Sequence, residues 1–181
     1  LSLGKMEQAG ADKPSWQRIV QELRAGIEVR AGRLDVEIAR LTAQLAAAPD
    51  DANAAWSLSQ LLQTSGDIEA ALRVLVPLVN REDASVDTRL LLRYAELLAQ
   101  HDQPGDAAAA FGRLIRLDAT HSKEQDRRHI ELLEASDQLP AAADAAAALL
   151  RRYPRDPDTY LLAAHIAQVR RDTEAQLSFL Q

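Results

Sequence analysis

The sequence predicts an all-α protein, an α-solenoid of antiparallel helix pairs with no strands. Three observations carry this. Apolar residues make up 47% of the 181-residue chain and aromatics only 4%, with Ala and Leu dominating and β-branched residues scarce, which favours helix over sheet. Apolar positions recur at helical spacing, and no stretch alternates with period two between turn residues. A helix–turn–helix spacing then repeats along the chain. One amphipathic hairpin leaves apolar surface at both of its ends, so each unit needs neighbours of its own kind.

The unit is clearest in residues 49–83, PDDANAAWSLSQLLQTSGDIEAALRVLVPLVNRED. Its first helix carries Ala55, Leu58, Ser59, Leu61 and Leu62 on one stripe and stops at Ser65 and Gly66. The second starts at once. Asp67 is placed to cap it, Glu69 sits in the first turn where the helix dipole favours negative charge, and Ala71, Leu72, Leu75, Leu78 and Val79 form the inner face.

The order of small residue, tight Gly turn, Ala, large apolar residue and helix breaker resembles the tetratricopeptide repeat (TPR), a pattern of about 34 residues in two antiparallel helices. The matching residues are Leu58, Ser59, Leu62, Gly66, Ala71, Leu75 and Leu78, with Asp83 where the family often has Pro and Ser59 where it often has Gly. The slot of Ala71 recurs at Ala107, Ala142 and Gln176, and upstream at Glu37. The slot of Leu75 recurs at Leu41, Phe111, Ala146 and Leu180, and the small position of Ser59 at Ala25, Ala95, Ile130 and Ala164. Five units fit this register, about 14–49, 50–83, 84–119, 120–154 and a truncated 155–181. Glu37 and Gln176 fit poorly and fall in the terminal units, where repeat arrays are atypical. The resemblance implies a right-handed superhelix.

In chain order, residues 1–13 lack periodicity and read as a flexible lead. Pro14 and Ser15 open a helix. From Trp16 the apolar positions run through Val20, Leu23, Ile27, Leu34, Ile38, Leu41 and Leu45, which suits a helix pair turning near Gly32 and equally one long helix over 14–47 able to self-associate. Gly26, Gly32 and a change of heptad phase favour the turn. Pro77 is expected either to kink the second helix of its unit or to end it early. The third unit turns over Asp102–Gly105, with Leu90, Leu91, Tyr94, Leu97, Leu98, Phe111, Leu114 and Ile115 inward. Ser122 and Gln125 form a capping box for the fourth unit, whose second helix has an Ala-rich face and follows a turn at Asp137. Asp156 and Pro157 read as cap and first-turn Pro of the fifth, with a last turn near Arg171. The start at Leu1 without Met and the end at Gln181 inside a helix-like segment read as a fragment of a longer protein.

Twenty-one Lys and Arg against 27 Asp and Glu give a net charge of −6, and with no basic stripe this argues against nucleic acid as a partner. No apolar run approaches the ~18 residues of a membrane helix. The absence of Cys excludes disulfides and thiolate chemistry. His101, His121, His129 and His165 are scattered through different units, which suits packing or surface roles rather than metal binding. Glu131 and Glu134 share a helix face, a common arrangement on solvated helices. With no phosphate loop and no nucleophile elbow, the residues point to no enzyme and no cofactor.

The TPR resemblance implies protein binding, with the first helix of each unit lining a concave groove that holds a partner's peptide or helix. Register puts Asn53, Trp56, Gln60 and Gln63 there from the second unit and Arg89, Leu92, Arg93 and Glu96 from the third. The fourth unit supplies Glu124, Arg127, Arg128 and Glu131, and the fifth Leu161, His165 and Gln168. The carboxylate clamp of heat-shock co-chaperones is absent, because Trp56, Leu92, Gln60 and Glu96 hold its positions. Arg89, Arg93, Arg127 and Arg128 read either as a basic patch or as a solvated face paired with Glu96 and Glu131. Trp56 reads either as a displaced core residue or as an exposed anchor. The Ala, Leu and Arg-rich texture resembles bacterial TPR scaffolds of exopolysaccharide export machines such as the Pel system, and leaves periplasm and cytoplasm both open. Two other classes fit the sequence: a homo-oligomerising coiled-coil adaptor through residues 14–47, and a regulatory appendage of an enzyme outside this stretch.

Overall fold

The computed structural model describes residues 14–30, 33–81 and 86–170. Among them every regular element is a helix: α1 (Pro14–Arg30), α2 (Leu34–Ala47), α3 (Ala52–Thr64), α4 (Ile68–Val79), α5 (Thr88–Gln100), α6 (Pro104–Leu117), α7 (Lys123–Ala135), α8 (Leu139–Arg152) and α9 (Pro157–Val169). The chain forms two compact units, Leu1–Tyr94 and Ala95–Gln181, with the boundary inside α5. The expected lead at 1–13, the turn residues Gly32 and Arg171 and the final helix-like segment lie outside the described residues. Even so, α1 ends at Arg30 and α2 begins at Leu34, so residues 14–47 form two helices and the single long helix is ruled out.

The turns share one geometry. Gly66, Asp102 and Asp137 are the residues with positive φ among those described, at 86°, 58° and 58°. Each is followed by a residue whose N–H reaches back five positions: Asp67 to the Leu62 carbonyl at 2.9 Å, Gln103 to Leu98 at 3.0 Å and Gln138 to Leu133 at 2.8 Å. That bond closes the end of one helix, and the same residue is the N-cap of the next, which leaves no slack between the two helices of a pair. Gly suits the left-handed turn because it lacks Cβ, and Asp is among the few other residues that tolerate it. The third turn is tighter than Asp102–Gly105: α6 already starts at Pro104, so Gly105 is helical, because Pro at the first helical position loses no hydrogen bond.

The repeating slots are the core. Ala71, Ala107 and Ala142 are all fully buried, and Leu41, Leu75, Phe111 and Ala146 at the large position and Ala25, Ser59, Ala95, Ile130 and Ala164 at the small one are buried as well. In α4 the buried set is Ala71, Leu72, Leu75, Leu78 and Val79. Leu62, by contrast, is only half-buried and packs against the N-terminal cluster of Ala25, Leu41, Ala54, Leu58 and Leu61.

Glu37 occupies the Ala slot and is buried as well. Its carboxylate accepts from Arg40 Nε at 2.9 Å, Arg40 Nη1 donates to Gln44 Oε1 at 3.0 Å, and Gln44 Nε2 donates to Asp51 Oδ2 at 2.7 Å. Asp51 Oδ1 in turn caps α3 through the N–H groups of Asn53 and Ala54 at 3.0 and 2.9 Å. A buried carboxylate is tolerated there because every step of this ladder is bonded.

Caps follow the sequence in part. Asp67 Oδ1 accepts from the Ala70 N–H at 2.9 Å, and Ser122 with Gln125 makes the full capping box. Asp156 precedes α9 without a side-chain cap bond; its Oδ2 accepts instead from Lys123 Nζ at 2.7 Å and Thr159 Oγ1 at 2.8 Å. Pro77 does not end α4 early, because the helix runs to Val79 and the Asn80 N–H still reaches the Val76 carbonyl at 3.0 Å.

Candidate functional site

In the N-terminal unit α1 packs on α3, and α5 reaches α3 through Arg93. Arg93 Nη2 donates to Gln63 Oε1 at 2.6 Å, and its Nε lies 3.4 Å from Ser59 Oγ. Ser59 is buried at this contact, and Arg93 Nη2 also lies 3.5 Å from its carbonyl oxygen. On the α1 side, Ser57 Oγ donates to Gln21 Oε1 at 3.2 Å, and the Arg18 guanidinium lies over the Trp56 ring with Cζ 5.9 Å from the centroid. First helices are thus joined side by side through polar and aromatic side chains.

Asn53, Trp56, Gln60, Gln63, Leu92 and Arg93 are half-buried, and Arg89 is exposed. Trp56 is neither a core residue nor a free one. Arg89 donates through Nε and Nη2 to Asp87 at 3.0 and 2.6 Å. Burial by itself raises the Asp87 carboxyl, but the Arg89 side chain, its backbone amide and its charge together hold it below the usual carboxylate range.

In the C-terminal unit Glu96, Arg128, Leu161 and His165 are exposed, and Arg127 and Glu131 half-buried. Arg128 Nη1 donates to Glu131 Oε2 at 3.2 Å, Arg127 Nη1 lies 3.8 Å from Glu124, and His165 Nε2 lies 2.8 Å from Glu134 Oε1. Arg89, Arg127 and Arg128 of the suggested basic patch therefore each stand beside a carboxylate, Arg89 beside Asp87.

Two features escaped the sequence. His121 is locked into a knot, with Nδ1 2.6 Å from the Asp118 carbonyl oxygen and Nε2 2.9 Å from Asp126 Oδ1, while Arg152 reaches the same carboxylate at 3.1 Å and donates to the His121 carbonyl at 2.8 Å. Arg152 comes from the end of α8, a distance in sequence that no spacing rule reaches. A cavity of about 500 Å³ also opens between α2 and α4, with Leu45, Val74 and Pro77 on its walls and Leu58 and Leu62 from α3. None of the groove positions read from the sequence lines it.

Residues 33–89 match the family model described as tetratricopeptide repeat. This stretch is a tetratricopeptide-repeat segment. Solved structures carry the same fold over a longer span. YrrB, described as a TPR protein with an unusual peptide-binding site, has 16% identity and a TM-score of 0.64, over 99% of this chain and 89% of YrrB. MamA AMB-1 has 14% identity and a TM-score of 0.65, over 91% of this chain and 88% of that one. A tetratricopeptide repeat protein from Parabacteroides merdae ATCC 43184 has 16% identity and a TM-score of 0.57, over 98% and 69%. At these identities the likeness is one of fold. No curated protein matches the chain by sequence. TPR proteins bind other proteins, and the TPR fold supports a protein–protein interaction scaffold here. No described helix is long and apolar enough to cross a membrane.

Proposed function

We propose that the chain is a non-enzymatic interaction scaffold whose first helices hold a partner's peptide or helix. The observation that carries this is the joined face of α1, α3 and α5, where Trp56, Gln60, Gln63 and Arg93 are half-buried polar or aromatic side chains rather than core. Gln60 and Gln63 offer amides that can both donate to and accept from an extended backbone. Trp56 offers an apolar plate, and Arg93 a fork for an acidic side chain in place of Gln63. In the C-terminal unit, Glu96, Arg127, Arg128, Glu131, Leu161 and His165 form the corresponding row. A place within a larger bacterial assembly, of the exopolysaccharide-export kind, is supported by the Ala, Leu and Arg-rich texture, and the full-length gene with its neighbours tests that part.

For the groove, a random peptide-display library panned against the chain is the direct test. Selected peptides should lose about 30-fold in affinity on Trp56→Ala, the effect of removing a ~2 kcal/mol hot spot, and should weaken further on Arg93→Ala. Peptides that bind a Trp56, Gln60 and Arg93 triple-alanine variant as tightly as the parent chain would overturn the assignment.

A further inference from the structure

The Arg18 side chain reaches from α1 to the Trp56 indole on α3, its Cζ 5.9 Å from the ring centroid. Glu22, one turn further along α1, is its ion-pair partner, with Nε and Oε1 3.5 Å apart and the two side chains 33% and 34% exposed. That pair is poorly satisfied. Arg18 Nε and Glu22 Oε1 are buried, and neither has a hydrogen-bond partner among the described residues. A buried donor or acceptor left unmet works against the arrangement that buries it, while a partly exposed ion pair contributes little. The stacking of guanidinium on indole is therefore what keeps Arg18 in place, and at a partly exposed site such a contact is weak. Other rotamers of this long side chain carry its head into water. In them Nε is hydrated and the indole face is bare. Glu22 keeps a cation in reach when Arg18 leaves, because Arg89 of α5, whose charged form is favoured first by its hydrogen bond to Asp87, also lies within range of the Glu22 carboxylate.

We propose that Arg18 is a movable cap on Trp56, closed over the indole in the free chain and displaced when a side chain of the partner takes the ring. This rests on the groove reading, in which Trp56 is the partner's anchor, and adds how that anchor is regulated. A site that is open in only a fraction of the molecules binds more weakly by that fraction. Deleting the cap therefore tightens binding, although it removes a side chain from the binding face. A residue that contributes to the partner's contact has the opposite effect, because its truncation weakens binding.

The chain has two Trp, so in a Trp16→Phe background the fluorescence comes from Trp56 alone. Quenching by acrylamide, a neutral probe, should rise on Arg18→Ala. Peptides panned against the whole chain and dependent on Trp56 should bind Arg18→Ala about 2- to 5-fold tighter, the equivalent of the ~0.5 to 1 kcal/mol of a cation–π contact at an exposed site. Quenching unchanged by Arg18→Ala would show that the indole is not covered. Equal or weaker binding of the Trp56-dependent peptides would show that Arg18 stays in the complex as part of the contact. Either result overturns the cap and leaves the groove reading standing. Panned peptides that all ignore Trp56→Ala would instead overturn the groove reading, and the cap with it, and that control tells the two failures apart.

Discussion

The guanidinium of Arg18 lies over the indole of Trp56, 5.9 Å from Cζ to the ring centroid, and ties α1 to α3 across the face proposed to bind a partner. Trp56 is half-buried, so Trp56→Ala should cost about half the ~3 to 5 kcal/mol of a fully buried aromatic, roughly 2 kcal/mol. Arg18→Ala should cost ~0.5 to 1 kcal/mol, the usual range of a partly exposed cation–π contact. Urea unfolding of both single variants and the double variant measures the coupling. Strict additivity would mean that the stacked geometry contributes nothing in solution.

Ala107 and Ala142 fill the same fully buried slot in successive pairs, where the second helix of a pair lies against its neighbours. Leu at either position overfills a packed site, and Ala107→Leu and Ala142→Leu should each cost ~1 to 3 kcal/mol. Thermal melts followed by circular dichroism check this. Unchanged midpoints in both would mean that these helices stand further apart than the burial implies.

Glycine-to-alanine changes should have opposite signs at two positions. At Gly66 φ is +86°, and no atom lies within 4 Å of an added Cβ, so Gly66→Ala should cost ~1 to 2 kcal/mol through backbone strain alone. Gly26 sits inside α1 with equally open space and no positive φ, so Gly26→Ala should gain ~0.5 to 1 kcal/mol through helix propensity. Chemical denaturation of the pair is the measurement, and two losses would contradict the assignment of Gly26 to a helix interior.

His129 on α7 lies against Gly112 of α6, where an added Cβ would meet the imidazole Nε2 at 3.1 Å. Burial pushes its pKa below the ordinary value of 6.5; the Asp126 charge opposes that shift and Arg116 adds to it. Between the depressed folded pKa and the higher unfolded one, the unfolded chain binds more protons. Stability should therefore fall as pH drops below about 6.5 and level off once the folded pKa is passed. His129→Gln should flatten that part of the curve. Melting midpoints from pH 5 to 8 for both proteins decide it, and parallel curves would show that His129 is not the group responsible.

Most of the fold was legible in the chain itself. Helical periodicity needs only local order, so the inner faces of α3 and α4 and the recurring slots of Ala71, Leu75 and Ser59 could be read from residue spacing, and Asp67 and the Ser122–Gln125 box from cap chemistry. The groove positions were readable only as register, because register says which side of a helix a residue occupies and nothing about its neighbours. Tertiary structure decided the rest. Pairings between residues some thirty positions apart, Gln63 with Arg93 and Glu134 with His165, depend on how helices stack. Glu37 looked misplaced at an alanine slot until Arg40, Gln44 and Asp51 stood around it in one bonded ladder. Asp156 could cap α9 by local rules, yet it accepts from Lys123 instead, because an ammonium brought in by a neighbouring helix is a stronger partner for a carboxylate than an amide of its own first turn. Local sequence sets which groups are available for bonding, and only the packed helices determine which of them meet.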